Sequence, residues 1–156
     1  MRSRRLLGMA VLIPVALVGC GSSSDGKPGG AKGAYIEQSD VICADVIAKS
    51  NSIGNAKDQA TAQQQADLWN DAFKRLDALQ EPQESVELAR QFVTDTDNLH
   101  MSYLAAAAAL QFNDQTKANK AFSDVDTIRQ RAAKTADEYG YTDCVGINGE
   151  SVEDDN

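Results

Sequence analysis

Apolar residues recur at three- and four-residue spacing through four long stretches of this 156-residue chain. That period predicts amphipathic helices. From about Ile36 to Ser52, the positions Ile36, Cys43, Val46 and Ile47 share a face that Ile53 continues. Gly54 then supplies the backbone freedom that ends a helix. A second helix is expected from about Gln59 to Gln80, with Ala62, Ala66, Trp69, Phe73, Leu76 and Leu79 as its stripe and Asp58 as its N-cap. Pro82 breaks it and suits the first turn of a third helix, where its missing N–H has no partner to lose. That helix, from about Gln83 to Leu110, carries Ala89, Phe92, Thr96, Leu99, Tyr103, Ala106 and Leu110 on one face. Its run from Ala105 to Ala109 lets a neighbouring helix come close. Asn113 or Asp114 caps a fourth helix reaching Tyr139, lined by Ala118, Ala121, Phe122, Val125, Ile128, Ala132, Ala136 and Tyr139. Gly140 follows at the position that favours a left-handed residue.

No stretch alternates with period two for long enough to form a sheet. Gly54 is the only glycine, and Pro82 the only proline, between Ala34 and Tyr139. Four helices joined by short connections imply antiparallel neighbours, so the expected fold is all-α: an up-down-up-down four-helix bundle.

The first residues follow another grammar. Arg2, Arg4 and Arg5 precede an apolar run from Leu6 to Ala16, which ends in Leu17-Val18-Gly19-Cys20. A basic stretch, a short apolar stretch and a branched-small-cysteine motif make a bacterial lipoprotein signal, cleaved before Cys20 after that residue is lipidated. Residues 1–19 are therefore expected to be leader, and residues 20–34 the lipidated cysteine with a Gly/Ser-rich tether. The bundle takes residues 35–146, and residues 147–156 form an acidic, disordered tail. Fourteen tether residues span roughly 20 Å as a flexible coil. The expected address is the extracytoplasmic face of a cell membrane, held by the lipid on Cys20.

Loss of the leader removes three positive charges from a formal −8 and leaves −11 on the mature chain. A domain this acidic repels nucleic acid, whose phosphates call for Lys and Arg. Lipidation of Cys20 leaves Cys43 and Cys144, which outside the cytoplasm are expected to form a structural disulfide. In an up-down-up-down bundle the end of the fourth helix lies beside the start of the first, and this arrangement suits the pairing. A reactive thiol pair and half of a metal site are the alternatives. His100 is the chain's single histidine, and no Cys-x-x-Cys spacing occurs.

The segments Ile42-Cys43-Ala44, Leu76-x-x-Leu79-x-x-Pro82 and Glu138-Tyr139-Gly140-Tyr141-Thr142-Asp143-Cys144 carry a resemblance. With the lipobox and tether, the chain resembles small secreted actinobacterial lipoproteins that have a disulfide-closed all-helical domain, a group of unknown function. The resemblance covers residues 36–146 and departs from the group where Val145-Gly146 follows the last cysteine. It implies a bundle, a disulfide and a surface location, and no catalytic residues.

Candidate chemistry is sparse. The sequence contains neither a Gly-x-Ser-x-Gly nucleophile motif nor a phosphate-binding glycine loop. Asp95 with Asp97, and Asp124 with Asp126, are expected on solvated faces, because residues two apart on a helix diverge. His100 and Tyr103 share a side and are residue types that ligate haem iron. The expected place for both is the core stripe and its polar flank. Trp69, Phe73, Phe92, His100, Tyr103 and Phe122 are the candidate lining of a cavity between helices. No catalytic residue, metal or cofactor is assigned. The leading expectation is a non-enzymatic envelope module with a protein partner, and the alternative is a carrier of a small hydrophobic ligand or haem.

Overall fold

The computed structural model describes residues 29–149, which form four α-helices and a closing 3-10 helix with no strand among them. The helices are α1 (Ala31–Ile53), α2 (Gln59–Asp77), α3 (Val86–Gln111) and α4 (Gln115–Tyr139), and the 3-10 helix is Cys144–Asn148. The expected leader, Cys20, the tether up to residue 28 and the tail from residue 150 lie outside the described residues. No described helix is long and apolar enough to cross a membrane.

Cross-helix contacts fix the directions. Asp45 meets Arg75 and Ser50 meets Gln65 between α1 and α2. His100 meets Ala66 between α2 and α3, where Ala106 clusters with Ala62, while Asp95 meets Arg131 and Tyr103 meets Arg129 between α3 and α4. Each succeeding helix thus runs opposite to the last, which gives the up-down-up-down bundle. The expected stripes face inward. Trp69, Leu76, Phe92, Leu99, Val125 and Ile128 are buried in one core, with Phe73 and Leu79 partly covered against it. Near the far ends of α3 and α4, Ala62, Ala106, Ala107 and Ala121 form a second buried cluster. Small side chains there let three helices close together, as the alanine run predicts.

The expected caps are present. The Asp58 carboxylate accepts from the Thr61 N–H at 2.8 Å, and Asp114 accepts from the Lys117 N–H at 3.1 Å. Gly140 takes φ 97°, a left-handed turn that favours glycine. Several boundaries differ from expectation, among them the end of α2, at Asp77 rather than near Gln80. α1 starts at Ala31, so Gly33 is helical rather than part of the tether. Tertiary contacts outweigh glycine's intrinsic cost of about 1 kcal/mol: Lys32 lies 4.6 Å from the centroid of the Tyr139 ring, and Tyr35 packs edge-on to the same ring. Pro82 does not open α3. It is buried in the connection, and α3 begins at Val86 after left-handed Ser85. Glu81 crosses from that connection to Arg90 at 2.8 Å. Finally, the folded unit runs past residue 146, because Ile147 is buried against the core.

The disulfide Cys43–Cys144 joins α1 to the 3-10 helix, with the two Cα atoms 5.0 Å apart. Around it, Tyr35, Phe92, Tyr139 and Tyr141 form an aromatic cluster with neighbouring centroids 4.7 to 6.4 Å apart. Burial, with Tyr35 alongside, pushes the Tyr139 phenol up to about 12.

Asp40 holds the closing segment in place. Its carboxylate accepts from the N–H groups of Thr142, Asp143 and Cys144 at 2.9 to 3.3 Å. Those donors open the 3-10 helix and have no intrahelical acceptor. Replacing Asp40→Asn keeps the shape and weakens charge-assisted bonds, so urea unfolding is expected to show a loss of about 1–2 kcal/mol. A variant as stable as the parent would show that the carboxylate is incidental to closure.

Candidate functional site

α1 and α4 would close the ring of a four-helix bundle as neighbours, but the structure keeps them apart. Among the described residues, none of their Cα atoms come within 8 Å of each other. The 3-10 helix fills the gap at one end. At the other, between the C-terminal part of α1 and the N-terminal half of α4, a cavity of about 410 Å³ remains. Its walls include Ser50, Gln65, Tyr103, Phe122, Asp126 and Arg129. This volume falls in the range of small-molecule sites.

A hydrogen-bonded chain of polar side chains crosses the floor. Gln65 is buried on α2, and its amide donates to the carbonyls of Ser50 and Gly54, both at 3.1 Å. Its side-chain oxygen accepts from the Ser50 hydroxyl at 2.9 Å. That hydroxyl in turn accepts from Arg129 Nη2 at 3.4 Å. The guanidinium carbon sits 5.8 Å from the Tyr103 ring centroid, a cation–π contact. Burial raises the Tyr103 phenol above its ordinary range, with Arg129 lowering it and Asp126 raising it by smaller amounts. Both charges therefore act on the same hydroxyl.

The expected lining residues separate. Tyr103 and Phe122 reach the cavity. Trp69 and Phe92 instead border a crevice of about 10 Å³ in the core, room for no more than a single water. Phe73 packs on the core's edge. His100 turns to α2, its Nδ1 lying 2.9 Å from the Ala66 carbonyl oxygen. A carbonyl only accepts, so Nδ1 carries the proton. His100 and Tyr103 thus serve different helix neighbours. Among the described residues, no group of three or more His, Cys, Asp or Glu is placed to hold a metal ion.

One expected position is overturned. Asp95 is not on a solvated face: it is fully buried and accepts from Arg131 Nε at 2.9 Å, from Arg131 Nη2 at 2.5 Å and from Gln91 at 3.1 Å. Asp95 stands three residues after Phe92 and four before Leu99, and that spacing puts it on the inward face. Asp124 is exposed and pairs with Lys120 at 2.8 Å, as a surface residue should.

Ser50, Gln65 and Arg129 were not among the expected site residues. Gln65 gives a readable signal, because a glutamine three residues from Ala62 and four from Trp69 interrupts an apolar face. Arg129 gives none, since an arginine beside Ile128 reads as the ordinary polar flank of a helix.

Outside the cavity, α3 carries a second unusual surface. Met101, Leu104, Ala105 and Ala108 recur on its outward side and Phe112, the C-cap residue just past it, continues the line; the three large residues are 54, 37 and 79 % exposed. This stripe lies opposite the core stripe of the same helix. No protein-family model, curated protein or solved structure matches this chain.

Proposed function

We propose that the protein is a lipid-anchored module on the extracytoplasmic face of a bacterial membrane, and that it works by binding another envelope protein rather than by catalysis. The lipobox ending in Cys20 supports the address, and the Cys43–Cys144 disulfide fits an oxidising compartment. The observation that carries the binding role is the outward stripe of α3, with Phe112 at 79 % exposure. Exposed aromatic and methionine side chains gathered on one face suit the centre of a protein interface better than open solvent. The chain's formal charge of −8 favours a partner whose apolar pocket is rimmed by Lys and Arg.

The test compares Phe112→Asp with the parent in the native bacterium. Detergent-extracted parent protein is expected to migrate with its partner as a complex. The variant is expected to stay folded and membrane-bound, with a stability change within about 0.5 kcal/mol, yet to migrate alone. A parent that migrates alone, or a variant that keeps the complex, overturns the reading. Loss of membrane attachment in Cys20→Ser separately tests the anchor.

A second reading, a small-ligand carrier, draws support from the α1/α4 cavity. The polar groups on its floor suit a polar ligand rather than a lipid tail or haem.

A further inference from the structure

We propose that the α1/α4 cavity binds a small zwitterion of the amino-acid class, with its carboxylate on Arg129 and its ammonium group toward Asp126. This goes beyond the docking role and uses none of the outward residues of α3, so each stands or falls alone.

Arg129 is the anchor. The described residues contain four arginines, and Arg75, Arg90 and Arg131 each pair with a carboxylate. Arg129 pairs with none among the described residues. Its contacts are the Ser50 hydroxyl and the face of Tyr103, and its Nε is buried without an acceptor. A buried donor left unmet is a standing cost that an incoming acceptor relieves. A carboxylate entering the cavity supplies an acceptor in the planar, two-pronged form that a guanidinium takes best.

The rest of the site restricts which molecule that carboxylate belongs to. Asp126 lies one helical turn before Arg129 on the same face of α4 and also lines the cavity. It forms no ion pair among the described residues. A ligand with only negative charge meets Asp126 and the field of a chain at formal charge −8. A ligand with only apolar surface leaves Arg129 desolvated and unpaired. A molecule carrying both charges satisfies both groups at once. Phe122 and Val125, on the same wall, offer apolar contact to its side chain.

The site is also held in shape before any ligand arrives. Gln65 is bonded to two backbone carbonyls and to Ser50, which fixes the hydroxyl that contacts Arg129 Nη2. Ordering this floor on folding lowers the entropic cost of later binding.

The test uses the mature chain carrying Cys20→Ser, followed by amide NMR during titration. Glycine presents the zwitterion alone, and L-phenylalanine adds a ring suited to Phe122 and Val125. The expected result is saturable shifts confined to residues 50–56 and 122–129. N-acetyl-L-phenylalanine, which lacks the ammonium group, and L-phenylalaninamide, which lacks the carboxylate, are each expected to bind about tenfold more weakly, or worse. Arg129→Gln should weaken phenylalanine by about the same factor while leaving the amide's affinity unchanged. Asp126→Asn, at the exposed rim, should do the reverse, weakening phenylalanine and sparing the N-acetyl compound. Thermal unfolding of both variants checks that the bundle is intact. No saturable shift with either amino acid overturns the proposal, as does an N-acetyl compound or amide that binds as tightly as phenylalanine. Binding that survives both substitutions also overturns it.

Discussion

Replacing Cys43 and Cys144 by alanine together is expected to lower the unfolding free energy by about 4–5 kcal/mol. The bond spans a sequence separation of 101, so its loss frees nearly the whole described chain in the unfolded state. In the folded state it joins α1 to the 3-10 helix that fills the gap between α1 and α4. Small domains have only about 5–15 kcal/mol to lose, so the variant should sit near the edge of folding at physiological temperature. Urea unfolding of the oxidised parent against the double variant reads the effect directly. Both sulfurs belong to buried residues, so reductant should act slowly on the folded parent and quickly once urea opens it. A free-energy difference below about 1 kcal/mol would mean that Asp40 and the aromatic cluster close the bundle without the crosslink.

The second large effect is expected at the Asp95–Arg131 pair. Arg131→Met removes the cation and leaves the Asp95 carboxylate buried with Gln91 as its remaining partner, at 3.1 Å. Stranding a buried charge costs about 3–5 kcal/mol, and the lower end applies because the Arg131 side chain is 46 % exposed and water can follow. The informative companion is Asp95→Asn combined with Arg131→Met. With no uncompensated charge inside, the double variant should recover most of the loss, although it lacks the ion pair altogether. Urea unfolding of both variants against the parent forms the comparison. If Arg131→Met cost less than about 1 kcal/mol, the pair would behave like an ordinary surface bridge.

The same residue shows where sequence reading stops. Asp95 and Asp97 stand two apart, so they diverge on the helix, and their charge suggests solvated faces for both. In the bundle Asp95 lies inward, as its spacing from Phe92 and Leu99 sets, and what makes that position tolerable is Arg131, which comes from another helix to meet it, 36 residues along the chain. A partner that far away leaves no mark on the local pattern. Asp40 is a parallel case: it looks like a polar residue on an apolar stripe until the chain returns 102 residues later to offer its backbone N–H groups. Ser50, Gln65 and Arg129 come from three different helices, so no spacing rule places them together.

The local facts were legible because their causes are local. The three- and four-residue apolar spacing set out the four helices. Asp58, Asp114 and Gly140 marked ends through bonds and backbone angles within a turn of themselves. Short connections then made neighbouring helices antiparallel, and that arrangement put Cys43 beside Cys144. Tertiary structure alone decided where α1 begins, because the Lys32 and Tyr35 contacts with Tyr139 outweigh the cost of Gly33. It alone decided that α1 and α4 stay apart around Arg129, which has no ion-pair partner among the described residues. Helix existence depends on residues within a few positions of one another, whereas a cavity depends on how well distant faces fit.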